Sequence, residues 1–175
     1  MYTFTSILTI VTVATQTAII ALLIIRFVLH EEHPLRAWIT RNWLTVASIV
    51  ALGAVASPLV YSEIFQLTPC KLCWFNRIIM FPSAYLLLLA TWWKDIDIIR
   101  YLRPLMITGG ALSIFHYTLQ RGINTIATDC AVVGQTGGGC GDVYILELGY
   151  ITIPLMALTA YGLIFVLTLY AKNRK

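Results

Sequence analysis

The chain has 175 residues, 59% of them hydrophobic and 11% charged, with a net charge of +4. A soluble domain carries about 25% charged residues, so composition excludes an ordinary soluble fold and points to a multi-span membrane protein. The positive charge does not indicate nucleic-acid binding, because the basic residues form short clusters between apolar runs rather than one patch.

Five apolar runs predict transmembrane helices at about 5–28, 43–61, 73–93, 104–121 and 149–171. Each approaches the roughly 20 residues that cross the hydrocarbon as helix. Lipid-exposed backbone must satisfy its own hydrogen bonds, and no period-two alternation suggests a barrel. The expected class is therefore an all-α membrane protein. The first run follows Met1-Tyr2-Thr3, which lacks a basic residue, and it exceeds a signal-peptide core, so it reads as a retained span. Its Thr12, Thr15, Gln16 and Thr17 are expected to pack against other helices.

The loop after this run holds Arg26, Arg36 and Arg41, together with His30 and His33, which read as surface residues. Lys94, Arg100 and Arg103 follow the third run, and Lys172, Arg174 and Lys175 close the chain. These nine of twelve basic residues share one side, against Lys71, Arg77 and Arg121 on the other. The positive-inside rule predicts an N-terminus outside, a C-terminus in the cytoplasm and all four cysteines at the outer surface. That compartment permits disulfides.

The third run opens with Thr68-Pro69-Cys70-Lys71-Leu72-Cys73-Trp74-Phe75-Asn76-Arg77. A Cys-x-x-Cys pair is a tool for two-electron thiol–disulfide exchange. At a helix N-terminus the dipole favours an anion, so Cys73 is the expected thiolate. Arg77 lies four residues on, on the same face. It can hold that thiolate or hydrogen-bond a quinone carbonyl; the plainer alternative is an arginine snorkelling to lipid phosphate. Trp74 and Phe75 fit an interfacial aromatic belt or the wall of a ring-binding pocket.

The fourth run contains Gly109-Gly110, which makes its span the least secure, and ends near His116, Tyr117 and Gln120. Run three starts outside and run four ends outside, so His116 can approach Arg77. It either gives a hydrogen bond or proton to a quinone or is a buried histidine bonded to a carbonyl. The long loop 122–148 carries Cys130 and Cys140, with Gly137-Gly138-Gly139 between them. These glycines either let one cysteine reach a distant partner or close a small disulfide hairpin. Val143–Leu148 reads as a short amphipathic piece on the membrane surface. Zinc is disfavoured: nine residues separate the second pair, against two to four in most zinc half-sites. Two inert disulfides are also disfavoured, because a Cys-x-x-Cys bridge closes too short a loop to stabilise much.

With these residues in place, the chain resembles the DsbB family of membrane quinone reductases that reoxidise periplasmic thiol oxidases. The resemblance covers about 43–171. It rests on Pro69 to Arg77, on Cys130 and Cys140 in the later loop, and on Ile151-Thr152-Ile153-Pro154 at the head of the last helix. The vitamin K epoxide reductase family orders its cysteines the other way.

The resemblance implies a four-helix bundle at 43–175 in a bacterial inner membrane. The N-terminal helix and cytoplasmic loop at 1–42 are additional. It implies redox disulfides Cys70–Cys73 and Cys130–Cys140 and a DsbA-type thioredoxin-like partner that attacks Cys130. Cys140 then exchanges with Cys70, Cys73 is released beside the quinone, and two electrons pass to ubiquinone or menaquinone. Arg77, His116 and Trp74 become the candidate quinone-binding residues. A thiol reductase, a vitamin K epoxide reductase-like activity and a non-enzymatic metal-binding or structural role are the alternatives.

Overall fold

A computed structural model describes residues 2–28, 33–123 and 139–171. Within them the chain forms five α-helices: α1 (Tyr2–Val28), α2 (Pro34–Leu59), α3 (Lys71–Trp93), α4 (Ile99–Gln120) and α5 (Ile153–Thr168). Three are long and apolar enough to cross a membrane: α1, α2 with the π-helical turn that extends it to Ile64, and α3. Helix α4 has the length but is less apolar, with Arg100 and Arg103 in its first turns. Helix α5 is apolar throughout but has 16 residues, about 24 Å of helix. It is shorter than the run 149–171 predicts, because Glu147 and Ile151 pair as an isolated bridge around Leu148-Gly149. Both turn residues have positive φ, 52° and 75°.

Helix α2 starts at Pro34 rather than near residue 43. Proline suits the first helical turn, where its missing N–H is not needed, and His33 Nδ1 accepts from the Leu35 N–H at 3.4 Å. At its other end Pro58 removes a backbone donor, and the next residues, Val60–Ile64, widen into the π turn. Phe65 then donates to the Val60 carbonyl at 3.2 Å.

The core joins α2, α3, α4 and α5 around Leu87, Leu102, Met106, Tyr161 and Ile164. The Gly109-Gly110 pair is a packing device. A Cβ at Gly109 would sit 2.4 Å from the Tyr161 ring. The missing side chain lets Tyr161 lie flat against α4 and donate to the Asn76 carbonyl on α3 at 3.0 Å. Ser113 of α4 donates to the Asn76 side-chain oxygen at 3.0 Å. One asparagine thus ties three helices together just below the Cys-x-x-Cys. At the far end Arg103 donates to the Thr168 carbonyl at 3.0 Å, closing α4 on α5.

The segment 143–148 is irregular, with Ile145 buried and Val143, Tyr144, Leu146 and Leu148 exposed, and Arg121 donates to the Gly149 carbonyl beside it at 3.1 Å.

Candidate functional site

Cys70 is the N-cap of α3, with extended backbone. Its sulfur accepts the free N–H of Cys73 at 3.4 Å, the role an oxygen plays in an ordinary cap. The two Sγ atoms are 3.1 Å apart and share a hydrogen. Both cysteines are free thiols. His116 arrives from α4 with Nε2 3.6 Å from Cys70 Sγ, and its ring is 2% exposed. Cys70 therefore collects an amide, a thiol and an imidazole around one sulfur.

That environment holds Cys70 well below the ordinary thiol range, at about 4. The hydrogen bond from Cys73 is the main cause; burial opposes it, and the His116 ring adds to it. The anion was expected on Cys73. The structure gives the helix-terminal amide to Cys70 instead, because Cys70 stands outside the first turn while Cys73 is already within it.

Arg77 is 8% exposed. It donates through Nη2 to the Pro58 carbonyl at 2.7 Å. Its guanidinium lies 5.2 Å from the Trp74 ring centroid. Its Nε has no hydrogen-bond partner among the described residues. A buried donor left unsatisfied costs about 1–3 kcal/mol, so such a group is a candidate ligand contact.

A cavity of about 430 Å³ runs past these groups. Cys73, Arg77 and His116 line it, so His116 and Arg77 meet as their positions on runs three and four suggest. Trp74 and Phe75 do not. Each is 54% exposed, and Trp74 reaches the site only by stacking on Arg77. Asn76, Pro58 and Tyr161 join the wall. None of the three was singled out as a site residue in the sequence. Asn76 stood inside the motif, but its link to Tyr161 spans 85 positions and left no local signal.

Cys140 is disulfide-bonded, while Cys130 and most of the glycine run lie outside the described residues. Cys140 is 2% exposed and shares one buried cluster with Cys70, Leu72 and Leu119. The end of α4 holds its loop: Gln120 donates to the Asp142 carbonyl at 3.1 Å, and Asp142 accepts from the Gly139 N–H at 2.8 Å. Cys140 is thus brought to the Cys-x-x-Cys pair.

The profile of the family described as disulfide bond formation protein DsbB matches residues 40–171. The chain belongs to the DsbB family. It is 37% identical over 135 residues to disulfide bond formation protein C of Bacillus subtilis, covering 76% of this chain and 94% of that protein. It is 32% identical over 142 residues to a probable disulfide formation protein of Metapseudomonas resinovorans, covering 81% and 97%. No solved structure matches. Membership of the DsbB family makes the chain a disulfide-bond-formation protein.

Cys70, Cys73 and His116 also place three metal-ligating atoms within 4.8 Å of one another. Among the described residues a histidine is the third potential ligand. A structural zinc site closes with four ligands.

Proposed function

We propose that this DsbB-family protein is a quinone-dependent membrane disulfide oxidoreductase. It reoxidises a soluble, extracytoplasmic thioredoxin-like thiol oxidase of DsbA type and delivers two electrons to the membrane quinone pool. The observation that carries the reading is the shared burial of disulfide-bonded Cys140 with Cys70, beside a cavity lined by Cys73, Arg77 and His116.

The partner's thiolate attacks Cys130, forming a mixed disulfide and freeing Cys140. Cys140 attacks Cys70 of the oxidised Cys70–Cys73 pair, and Cys73 leaves as a thiolate. The partner's second thiol then releases Cys130, which closes again on Cys140 and frees Cys70. The partner has lost two electrons as a disulfide, and Cys70 and Cys73 hold them as a dithiol. Reclosing the Cys70–Cys73 bond gives up two electrons and the proton held by Cys73, since Cys70 is already the thiolate that His116 Nε2 faces at 3.6 Å.

The cavity fits a quinone in size, in its apolar walls and in the spare Nε donor of Arg77. A bound quinone supplies the two-electron acceptor. Arg77 would hold a ring oxygen, and Cys73 lines the same space. The bundle reading has α2 to α5 spanning, with α1 as a further span. The basic residues support an outer N-terminus and a cytoplasmic C-terminus.

The test is anaerobic quinone reduction by the purified protein, with a reduced thioredoxin-like dithiol protein as donor, for wild type and Cys73→Ala. Stoichiometric reduction by wild type alone is expected. A folded wild-type protein with free thiols that reduces no quinone overturns the reading and points to another acceptor or a metal-binding role.

A further inference from the structure

Helix α1 lies wholly outside the family match, which begins at residue 40. It is nevertheless built into the molecule. Tyr61 donates to Thr5 Oγ1 at 3.4 Å, Tyr150 donates to Gln16 Oε1 at 3.0 Å, and Tyr170 donates to the Leu22 carbonyl. The Arg26 guanidinium lies 5.7 Å from the Tyr170 ring centroid. These contacts reach α1 from the end of α2, the loop before α5 and the residues after α5. A helix that served only as a lipid anchor would need none of them.

The held face is distinctive. Thr5, Thr9 and Thr12 are the buried residues of α1, spaced as one helical stripe, while Ile7, Ile10, Ile20 and Ile24 are exposed. Leu8, Val11, Thr12 and Thr15 line the same cavity as Cys73, Arg77 and His116. Thr12 and Thr15 donate to the Leu8 and Val11 carbonyls, each at 2.7 Å. Their hydroxyl hydrogens are spent on their own helix, so this wall offers a ligand no donor. The thiol, guanidinium and imidazole of the lining all come from α3 and α4. Ile49, Val50 and Gly53 of α2 line the cavity as well as the α1 residues, and a Cβ built at Gly53 meets nothing within 4 Å. The reactive groups and the α1 wall therefore come from different helices. A void of about 150 Å³ holds benzene, so 430 Å³ exceeds the needs of a quinone ring.

We propose that α1 forms the binding wall for the polyprenyl tail of the quinone, next to the head-group site built by α3 and α4. The inference rests on the quinone reading above. It assigns Val11, Thr12 and Thr15 to tail binding and Arg77 to the head, so this chain selects its acceptor partly through a helix the matched family region lacks.

The experiment uses the full chain in detergent with two quinones of one ring, one bearing a ten-carbon tail and one without. Binding is read by quenching of tryptophan fluorescence, with single-turnover reduction as a second readout, for wild type, Thr15→Phe and Val11→Ala. Wild type should bind the tailed quinone more tightly. Val11→Ala should weaken that binding roughly tenfold, as losing about two methylene-sized contacts does. Thr15→Phe should weaken it at least as much by filling space the tail would take, and both should leave tail-less binding within about twofold. A tailed quinone with a photoreactive group at the tail end should label α1 peptides, which checks the assignment without relying on any variant's fold. Equal effects on both quinones, or labelling confined to α2–α5, would overturn the inference while quinone reduction by wild type stands. Failure of wild type to bind either quinone would overturn the quinone reading and this inference with it.

Discussion

Cys70 Sγ and His116 Nε2 lie 3.6 Å apart, from the N-cap of α3 and the last turns of α4. The contact joins a thiol to the only histidine buried among the described residues. It adds to the larger effect of the Cys73 hydrogen bond in making Cys70, rather than Cys73, the stabilised anion of the reduced pair. Because the Cys70 pKa is lowered, its thiolate persists as pH falls and is lost only near pH 4. Alkylation at Cys70, followed by mass spectrometry of its peptide, should therefore be nearly independent of pH between about 5.5 and 8, where an ordinary thiol with pKa about 8.5 gains rate steeply. Cys73→Ala should move the midpoint upward most, since its hydrogen bond is the largest cause, and His116→Ala should move it less. An unchanged midpoint in both variants would remove these contacts from the control of Cys70.

The buried Arg77 supplies the second prediction. Its Nη2 is occupied by the Pro58 carbonyl and its Nε is unpartnered. A hydrogen bond from a charged donor contributes about 1.5–3 kcal/mol. Arg77→Ala should lower kcat/KM for quinone by roughly ten- to a hundredfold, with the KM for the dithiol partner unchanged. Arg77→Lys should recover little, because a point charge on a flexible stem cannot hold Pro58 and a ring oxygen together. Steady-state kinetics with each substrate varied in turn separates the two effects.

Much of this site is written locally. The Cys-x-x-Cys, the arginine one turn later and the histidine near the outer end of the fourth run all follow from spacing along helices, so their convergence could be anticipated from runs three and four alone. The direction of thiolate stabilisation could not, since it depends on where α3 begins to within a residue. The Asn76–Tyr161 tie and the burial of Cys140 against Cys70 also join distant parts of the chain, and no periodicity encodes them. The short α5 escaped for a different reason: composition marks apolar residues but not the positive-φ turn at Leu148-Gly149 that delays the helix. Of the α1 residues read as packing, Thr12 is buried but Thr17 is exposed, and the buried Thr5 and Thr9 were not among them; which face packs depends on how α1 docks.

Gly109 bears on stability. Its hydrogen faces the Tyr161 ring where a methyl carbon would stand 2.4 Å away. Overpacking of this kind costs about 1–3 kcal/mol. Gly109→Ala should lower the Tm of the detergent-solubilised protein measurably. Adding Tyr161→Leu removes the ring that the methyl strikes, so the double variant should lose less than the two single changes summed. Strict additivity would mean that the two residues do not meet.

The burial of Cys140 bears on where the proposed partner enters. At 2% exposure and packed with Cys70, Leu72 and Leu119, Cys140 is poorly placed for a protein thiolate approaching from solvent. The proposed relay therefore takes the attack at Cys130 and leaves Cys140 to exchange with Cys70. In Cys140→Ala the loop bond cannot form, but the free Cys130 thiol can displace an aromatic thiol from a partner whose first cysteine carries it as a mixed disulfide and whose second cysteine is replaced by alanine, so no partner thiol releases Cys130. A mixed disulfide through Cys130 should accumulate, stable to non-reducing electrophoresis and absent when Cys130 is also replaced. Capture through Cys70 instead would mean that the partner reaches the α3 dithiol directly, and that the buried cluster opens before electrons move.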